Sequence, residues 1–339
     1  MRPGHEVTDW QASPERNGHP PLRNRPIKPA SGPVPVVSGR NRPVYVVIPV
    51  YSVRGTPVAW ASATARTRRQ WIFRGGSAVD TEQLSHPHAR VHVTSEGVAT
   101  ICITGAGSLN VLGSAVIADL TRAFNGLAAA EAVRVVVLRG DGERAFVAGA
   151  DIAEMAELDN TRAQHFIAGL AELCDTVRFF PVPVIARLGG HCLGAGLELA
   201  ASCDLRIAAD SARFAMPEVA VGIPSVVHAA LLPALIGGSR AQWLLLTGEA
   251  IDADTAREWG LVHQVVSADN LDLAVQALAA RLAGFGPQAL QQQKRLLRRW
   301  ERMSVEEAIA DSVPEFGAAF DTGEPQQHMR AFLARKRQG

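Results

Sequence analysis

From residue 90 onward the sequence predicts an α/β fold with largely parallel strand pairing, closed by a helical C-terminal region. Two observations carry that prediction. Short, continuous apolar runs rich in β-branched residues recur between turn signals, as strands buried on both faces require. Between them lie longer segments with apolar residues at helical spacing. Alternation of the two element types favours parallel strands joined by crossover helices.

Residues 98–104, VATICIT, read as a strand because Val, Ile and Thr suit a pleated, half-buried surface. Residues 111–127 then space their apolar side chains as a helix does. VRVVVLRG (133–140) is a continuous apolar run closed by Gly140 and Asp141, the pattern of a strand covered on both faces. Helical spacing returns at 161–179. VPVIARLGG (182–190) and DLRIAA (204–209) repeat the strand character, and residues 194–202 between them open a helix directly after a glycine-rich turn. After Ala268 the pattern is helical throughout, with 288–302 charged and amphipathic.

The chain has 339 residues, 47% hydrophobic and 20% charged, enough for a large core and typical of a soluble globular protein. Its net charge of +1 gives no reason to expect a polyanionic partner, but the average conceals an asymmetry. Residues 1–80 hold 12 basic and 4 acidic residues, a local +8 that the rest of the chain offsets. The first 88 residues are rich in Pro, Arg, Ser and Gly and lack periodicity, so they cannot bury enough apolar surface to offset their ordering entropy. A disordered tail, a transit peptide and an upstream stretch included by an early start codon compete there. The expectation is a disordered or spurious extension, because Glu6, Asp9, Glu15 and the prolines argue against a transit peptide. Cys102, Cys174, Cys192 and Cys203 sit in apolar surroundings without a C-x-x-C pair, so they read as reduced core residues of a cytoplasmic protein and not as metal ligands. No apolar run reaches the roughly 18–20 residues of a membrane span.

Two glutamates twenty residues apart carry the chemistry. Glu198 follows the small-residue turn Gly194-Ala195-Gly196 at a helix start, and Glu218 follows Pro217 after a short apolar run. Helix starts leave backbone N–H groups unpaired and favour negative charge. Ala148-Gly149-Ala150 offers a second such turn after a strand. If folding brings Ala150 and Ala195 together, their N–H groups can cradle an acyl oxygen that becomes an enolate. Paired carboxylates can hold a water between them, one taking its proton while the other supplies a proton to carbon. Taken singly, each motif also has a bland reading: close-packing turns, a helix-dipole partner at Glu198, a surface acid at Glu218.

FVAGADIAEM, the long run from Pro181 to Pro224 and LTGEAIDADTAREWGLVHQVV closely resemble the enoyl-CoA hydratase/isomerase, or crotonase, superfamily. The resemblance covers residues 90–339, with several motifs in the family's order and spacing. It implies a crotonase-like spiral of ββα units over 89–280 and a C-terminal helical oligomerisation region over 281–339. It implies a homotrimer or hexamer, an acyl-CoA thioester as substrate, no nucleic-acid or membrane partner, and no cofactor or metal, coenzyme A being part of the substrate. By position, Ala150 and Ala195 are the oxyanion-hole donors and Glu198 and Glu218 the catalytic pair. Ala148, Gly149, Asp151, Ile152 and Gly194 are expected to touch the thioester or its CoA. Phe332 and Arg335 would approach a neighbouring subunit's CoA.

The chain also departs from the family. Hydratases commonly follow the second glutamate with G-x-I-P-G-x-G-G-T-Q-R-L, whereas here Gly222-Ile223-Pro224-Ser225-Val226-Val227-His228 lacks those glycines and the Thr-Gln-Arg. The segment TGAGSLNVLGS (104–114) lacks the basic residue often found before the first helix. His191 and His228 are read as structural or solvent-facing. The expectation is an enoyl-CoA hydratase, with a Δ3-Δ2 isomerase or another CoA-thioester enzyme (a decarboxylase or hydrolase) as the rival. A non-catalytic scaffold or RNA-binding member stands further off.

Overall fold

A computed structural model of the chain describes residues 81–337. A short helix α1 (Thr81–Leu84) leads into an antiparallel hairpin of β1 (Ala89–Val93) and β2 (Val98–Ile103). Helix α2 (Ser114–Leu127) then crosses to β3 (Val135–Gly140), parallel to β2. From β3 the chain repeats one pattern: a strand for a large sheet, a three-residue strand for a second sheet, then a helix. β4 (Ala145–Val147) with α3 (Ile152–Ala156) and α4 (Asn160–Arg178) completes the first turn. β5 (Val184–Leu188), β6 (His191–Leu193) and α5 (Ala195–Ser202) form the second, and β7 (Leu205–Ala209) with β8 (Arg213–Ala215) begins the third. Two 3-10 turns, Pro217–Val221 and Val227–Leu231, lead to α6 (Leu232–Ile236) and α7 (Gly238–Thr247). β9 (Ile251–Asp252), α8 (Ala253–Glu258) and β10 (Gln264–Val266) end the spiral, and α9 (Leu271–Ala283), α10 (Pro287–Trp300), α11 (Val305–Phe320) and α12 (Glu324–Lys336) follow.

The large sheet runs β1-β2-β3-β5-β7-β10, parallel except for the β1–β2 hairpin. The small sheet runs β4-β6-β8-β9. Both faces of the large sheet's central strands β3, β5 and β7 are covered, which is why these read as largely apolar runs. Val136, Leu138, Val184, Ala186 and Leu188 face the main core with α2 and α4, while Val135, Val137, Ile185 and Ile207 face Leu271, Val275 and Ala279 of α9. The boundary expected at residue 280 therefore falls inside a helix that seals the large sheet. Of the expected extension, residues 1–80 lie outside the described residues. Residues 81–88 hold α1 and one partner of the His86–Ala89 bridge.

A buried ion cluster fastens the C-terminal helices to this core. Lys294 of α10, only 6% exposed, places Nζ 2.6 Å from Asp204 Oδ2 and donates to the Val182 carbonyl at 3.0 Å. Arg298 donates to Asp204 Oδ1 at 2.8 Å, and the Val184 N–H donates to Oδ2 at 2.8 Å. Burial lowers the Lys294 pKa, and the Asp204 carboxylate opposes that shift. Removing one member of a buried pair strands the other charge, so Asp204→Ala is expected to cost roughly 3–5 kcal/mol in chemical denaturation. Asp204→Asn, which keeps an acceptor, is expected to cost less.

Candidate active site

The site forms where α5 begins against the small sheet. Gly194 caps α5 with φ 52°, a left-handed conformation that L side chains rarely adopt, and its N–H donates to the Ala215 carbonyl at 2.9 Å. A Cβ there would stand 2.6 Å from Glu218 Oε1 and 3.9 Å from Gly149 Cα. One glycine thus separates the second glutamate from the upstream turn. Two residues on, a Cβ at Gly196 would sit 2.2 Å from the Val147 carbonyl, so only glycine lets α5 lie this close to β4.

Both expected backbone donors lie at this junction. The Leu112 N–H donates to the Gly149 carbonyl at 2.9 Å, and the Asp151 N–H donates to the Leu112 carbonyl at 3.1 Å. Ala150, between those two bonds, turns its own N–H to the opposite side, as a parallel bridge requires. Ala195 is the first residue of α5, where a helix has no carbonyl to offer its N–H. Ala148 is anchored by donating to the Leu109 carbonyl at 3.0 Å.

Glu198 lies one turn into α5 and is only 3% exposed. Its Oε1 accepts from the Ala229 N–H at 3.1 Å. Burial pushes its pKa up to about 8; the Ala229 bond opposes the rise and the nearby Glu218 charge adds to it. Glu218 is half-buried on the Pro217–Val221 turn, and its Oε2 accepts from the Ser225 hydroxyl at 2.8 Å. The two carboxylates therefore sit in unlike surroundings beside two backbone donors. Such a set can bind an acyl oxygen, hold a water and move protons at neighbouring carbons.

The other expected residues divide. Asp151 caps α3, its carboxylate accepting from the Ala153 and Glu154 N–H groups at 2.9 and 3.2 Å, and Ile152 beside it is 60% exposed. Phe332, 60% exposed, and Arg335 lie on α12, whose main packing partner is α11, so folding of the described chain alone does not bring them to the glutamates. His228 Nε2 lies 3.1 Å from Asp175 Oδ1 and ties its turn to α4, while His191 is exposed. Ser225 and Ala229, which grip the glutamates, were not anticipated as site residues. The loss of family glycines after Glu218 was the available signal. Arg144 donates to Ser108 Oγ at 2.8 Å and brings a cation to the segment that lacks one of its own. All four cysteines are buried and unbridged. Among the described residues no cluster of metal-ligating side chains occurs, and no helix is long and apolar enough to cross a membrane.

Comparison with known proteins identifies the family. The family model described as enoyl-CoA hydratase/isomerase matches residues 93–338. The chain is 33% identical over 243 residues to the crotonyl-CoA hydratase of Syntrophomonas wolfei, covering 71% of this chain and 94% of that protein. It is equally 33% identical over 241 residues to the short-chain-enoyl-CoA hydratase of Clostridium acetobutylicum, covering 71% and 92%. The crystal structure of an enoyl-CoA hydratase from Bacillus anthracis matches with a TM-score of 0.71 at 30% identity, over 73% of this chain and 96% of that one. The enoyl-CoA hydratase of Mycobacterium smegmatis matches with a TM-score of 0.71 at 32% identity, over 74% and 97%. The chain therefore belongs to the enoyl-CoA hydratase/isomerase family, with the crotonase fold.

Proposed function

We propose that this protein is an enoyl-CoA hydratase that adds water reversibly across the double bond of a 2-enoyl-CoA thioester. One observation carries the reading: two carboxylates in unlike surroundings meet beside two backbone N–H groups that local pairing leaves free. In the proposed reaction the thioester carbonyl oxygen accepts from the Ala150 and Ala195 N–H groups, which hold the enolate as charge reaches that oxygen. Glu198 takes a proton from water as the hydroxyl adds to the β-carbon, and Glu218 delivers a proton to the α-carbon. Water addition consumes no redox equivalent, and we propose that it proceeds without a metal or cofactor. Gly149, Asp151 and Ile152 would support the CoA end of the substrate through backbone contacts, and Ala148 and Gly194 would hold the two donor turns. The rival isomerase chemistry needs only one base, whereas here both carboxylates are individually held.

The same reading extends to assembly. Val305, Ile309, Val313 and Phe316 on α11 are 63–71% exposed, a helix face too apolar for solvent alone. We propose that this face joins copies of the chain into a trimer or hexamer in the cytoplasm, which would also bring Phe332 and Arg335 toward a neighbour's CoA. Sedimentation analysis is expected to give one of those masses, and a monomer at micromolar concentration would exclude it.

Replacing either acid by its amide keeps the shape and removes the proton transfer. Glu198→Gln and Glu218→Gln are each expected to lower the rate of crotonyl-CoA hydration by roughly 10²–10⁴. Absorbance of the enoyl thioester measures this, and a variant within tenfold of wild type would remove that residue from the mechanism.

The pH dependence follows from the pair. Hydration needs the proton on Glu218 and dehydration needs it on Glu198, two arrangements of the same singly protonated pair. Both directions therefore share one bell-shaped profile of kcat/KM. Burial holds Glu198 up to about 8, so the pair loses its last proton near that pH. The rate is expected to fall above about pH 8 in both directions. A profile flat to pH 10 would contradict the assignment.

A further inference from the structure

The loop that follows Glu218 carries one step further, on the basis of the hydratase reading. We propose that Ser225 is a positioning residue: its hydroxyl holds Glu218 Oε2 and leaves Oε1 turned toward the Gly194 turn, where the α-carbon of the thioester would lie. Three observations support this. The Ser225 hydroxyl donates to Glu218 Oε2 at 2.8 Å, while the position of a Cβ on Gly194 would be 2.6 Å from Oε1, so the two oxygens have separate tasks. The loop is fastened at both ends to the glutamates, by the Ile223 N–H to the Glu218 carbonyl at 3.2 Å and by the Ala229 N–H to Glu198 Oε1 at 3.1 Å. Between these ties Val227 holds φ at 40°, a conformation costly for a β-branched residue that persists only when its surroundings impose it. The family pattern that this segment resembles has glycine after the proline, and glycine has no hydroxyl to make this bond.

A hydroxyl donating to one carboxylate oxygen fixes the orientation of the whole group. Ser225 therefore sets which Glu218 oxygen faces the Gly194 turn. The ionisable groups around Glu218 leave this bond in place. Glu198 on α5 is bonded to Ala229, His228 in the same loop is turned to Asp175, and Arg240, the ionisable residue of α7 that packs against the Glu218 turn, lies over the Trp259 ring.

The test compares the full chain with Ser225→Ala and Ser225→Thr in two measurements. One is kcat and KM for crotonyl-CoA hydration. The other is the infrared carboxylate stretching band of Glu218 at one fixed pH, isolated by difference against Glu218→Gln. Ser225→Ala is expected to lower kcat about tenfold with KM within about twofold. It is also expected to move the Glu218 carboxylate band, which loses its hydroxyl donor, with Ser225→Thr restoring both the rate and the band. A Glu218 band unchanged in Ser225→Ala, or Ser225→Thr behaving like Ser225→Ala, would overturn the proposal. If the wild type fails to hydrate crotonyl-CoA while the Glu218 band still moves in Ser225→Ala, the hydratase reading falls and the Ser225 pairing stands.

Discussion

The site depends on one close approach: helix α5 begins against the small sheet with no side chain between them. The Val147 carbonyl occupies the place a Cβ of residue 196 would need, and Glu218 crowds residue 194 in the same way. Any larger residue would push the helix start away from the Gly149 turn and separate Ala195 from Ala150. Ala195, at the start of α5, is buried, and no helix carbonyl stands ready to accept its N–H. The same placement buries Glu198 one turn later. Donors and acid are thus two consequences of one packing contact.

Burial then divides the two glutamates. Glu198 is enclosed by the core, so its charged form is disfavoured and the proton of the pair rests there. Glu218, half-exposed on its turn, is held by the Ser225 hydroxyl. In the proposed reaction these unlike surroundings give two identical functional groups different tasks. That division comes from the layering of the fold: α5 lies inside the spiral, whereas the Pro217–Val221 turn lies at its rim.

The C-terminal helices stand in a different relation to the core. α9 completes the burial of the large sheet, and α10 is fastened to it through Asp204, Lys294 and Arg298. Beyond them α11 carries exposed apolar residues along its length. Packing thus grades from a buried seal at α9 to α11, which packs on α10 and α12 but leaves an apolar face exposed.

The sequence by itself determined the central strands of the large sheet and singled out Glu198 and Glu218. Those strands are covered on both faces, so each had to be a largely apolar run, whereas the edge strands β1 and β10 carry exposed polar positions and show no such run. β3, β5 and β7 stand where those runs predict them, and the helices at 114–127, 160–178 and 195–202 agree to within a few residues. The glycines at 194 and 196 were legible as a tight helix start, because no other residue serves there. Only the tertiary structure decided the second sheet, whose strands β4, β6 and β8 are three residues long and too short to show a period. It also decided which groups grip the glutamates. Ser225 and Ala229 reach Glu218 and Glu198 through a loop whose path depends on a left-handed valine, and no local pattern announces such a path. Local spacing fixes which residues share an element; contacts across elements depend on how the layers close, and there the difference in environment between the two acids arises.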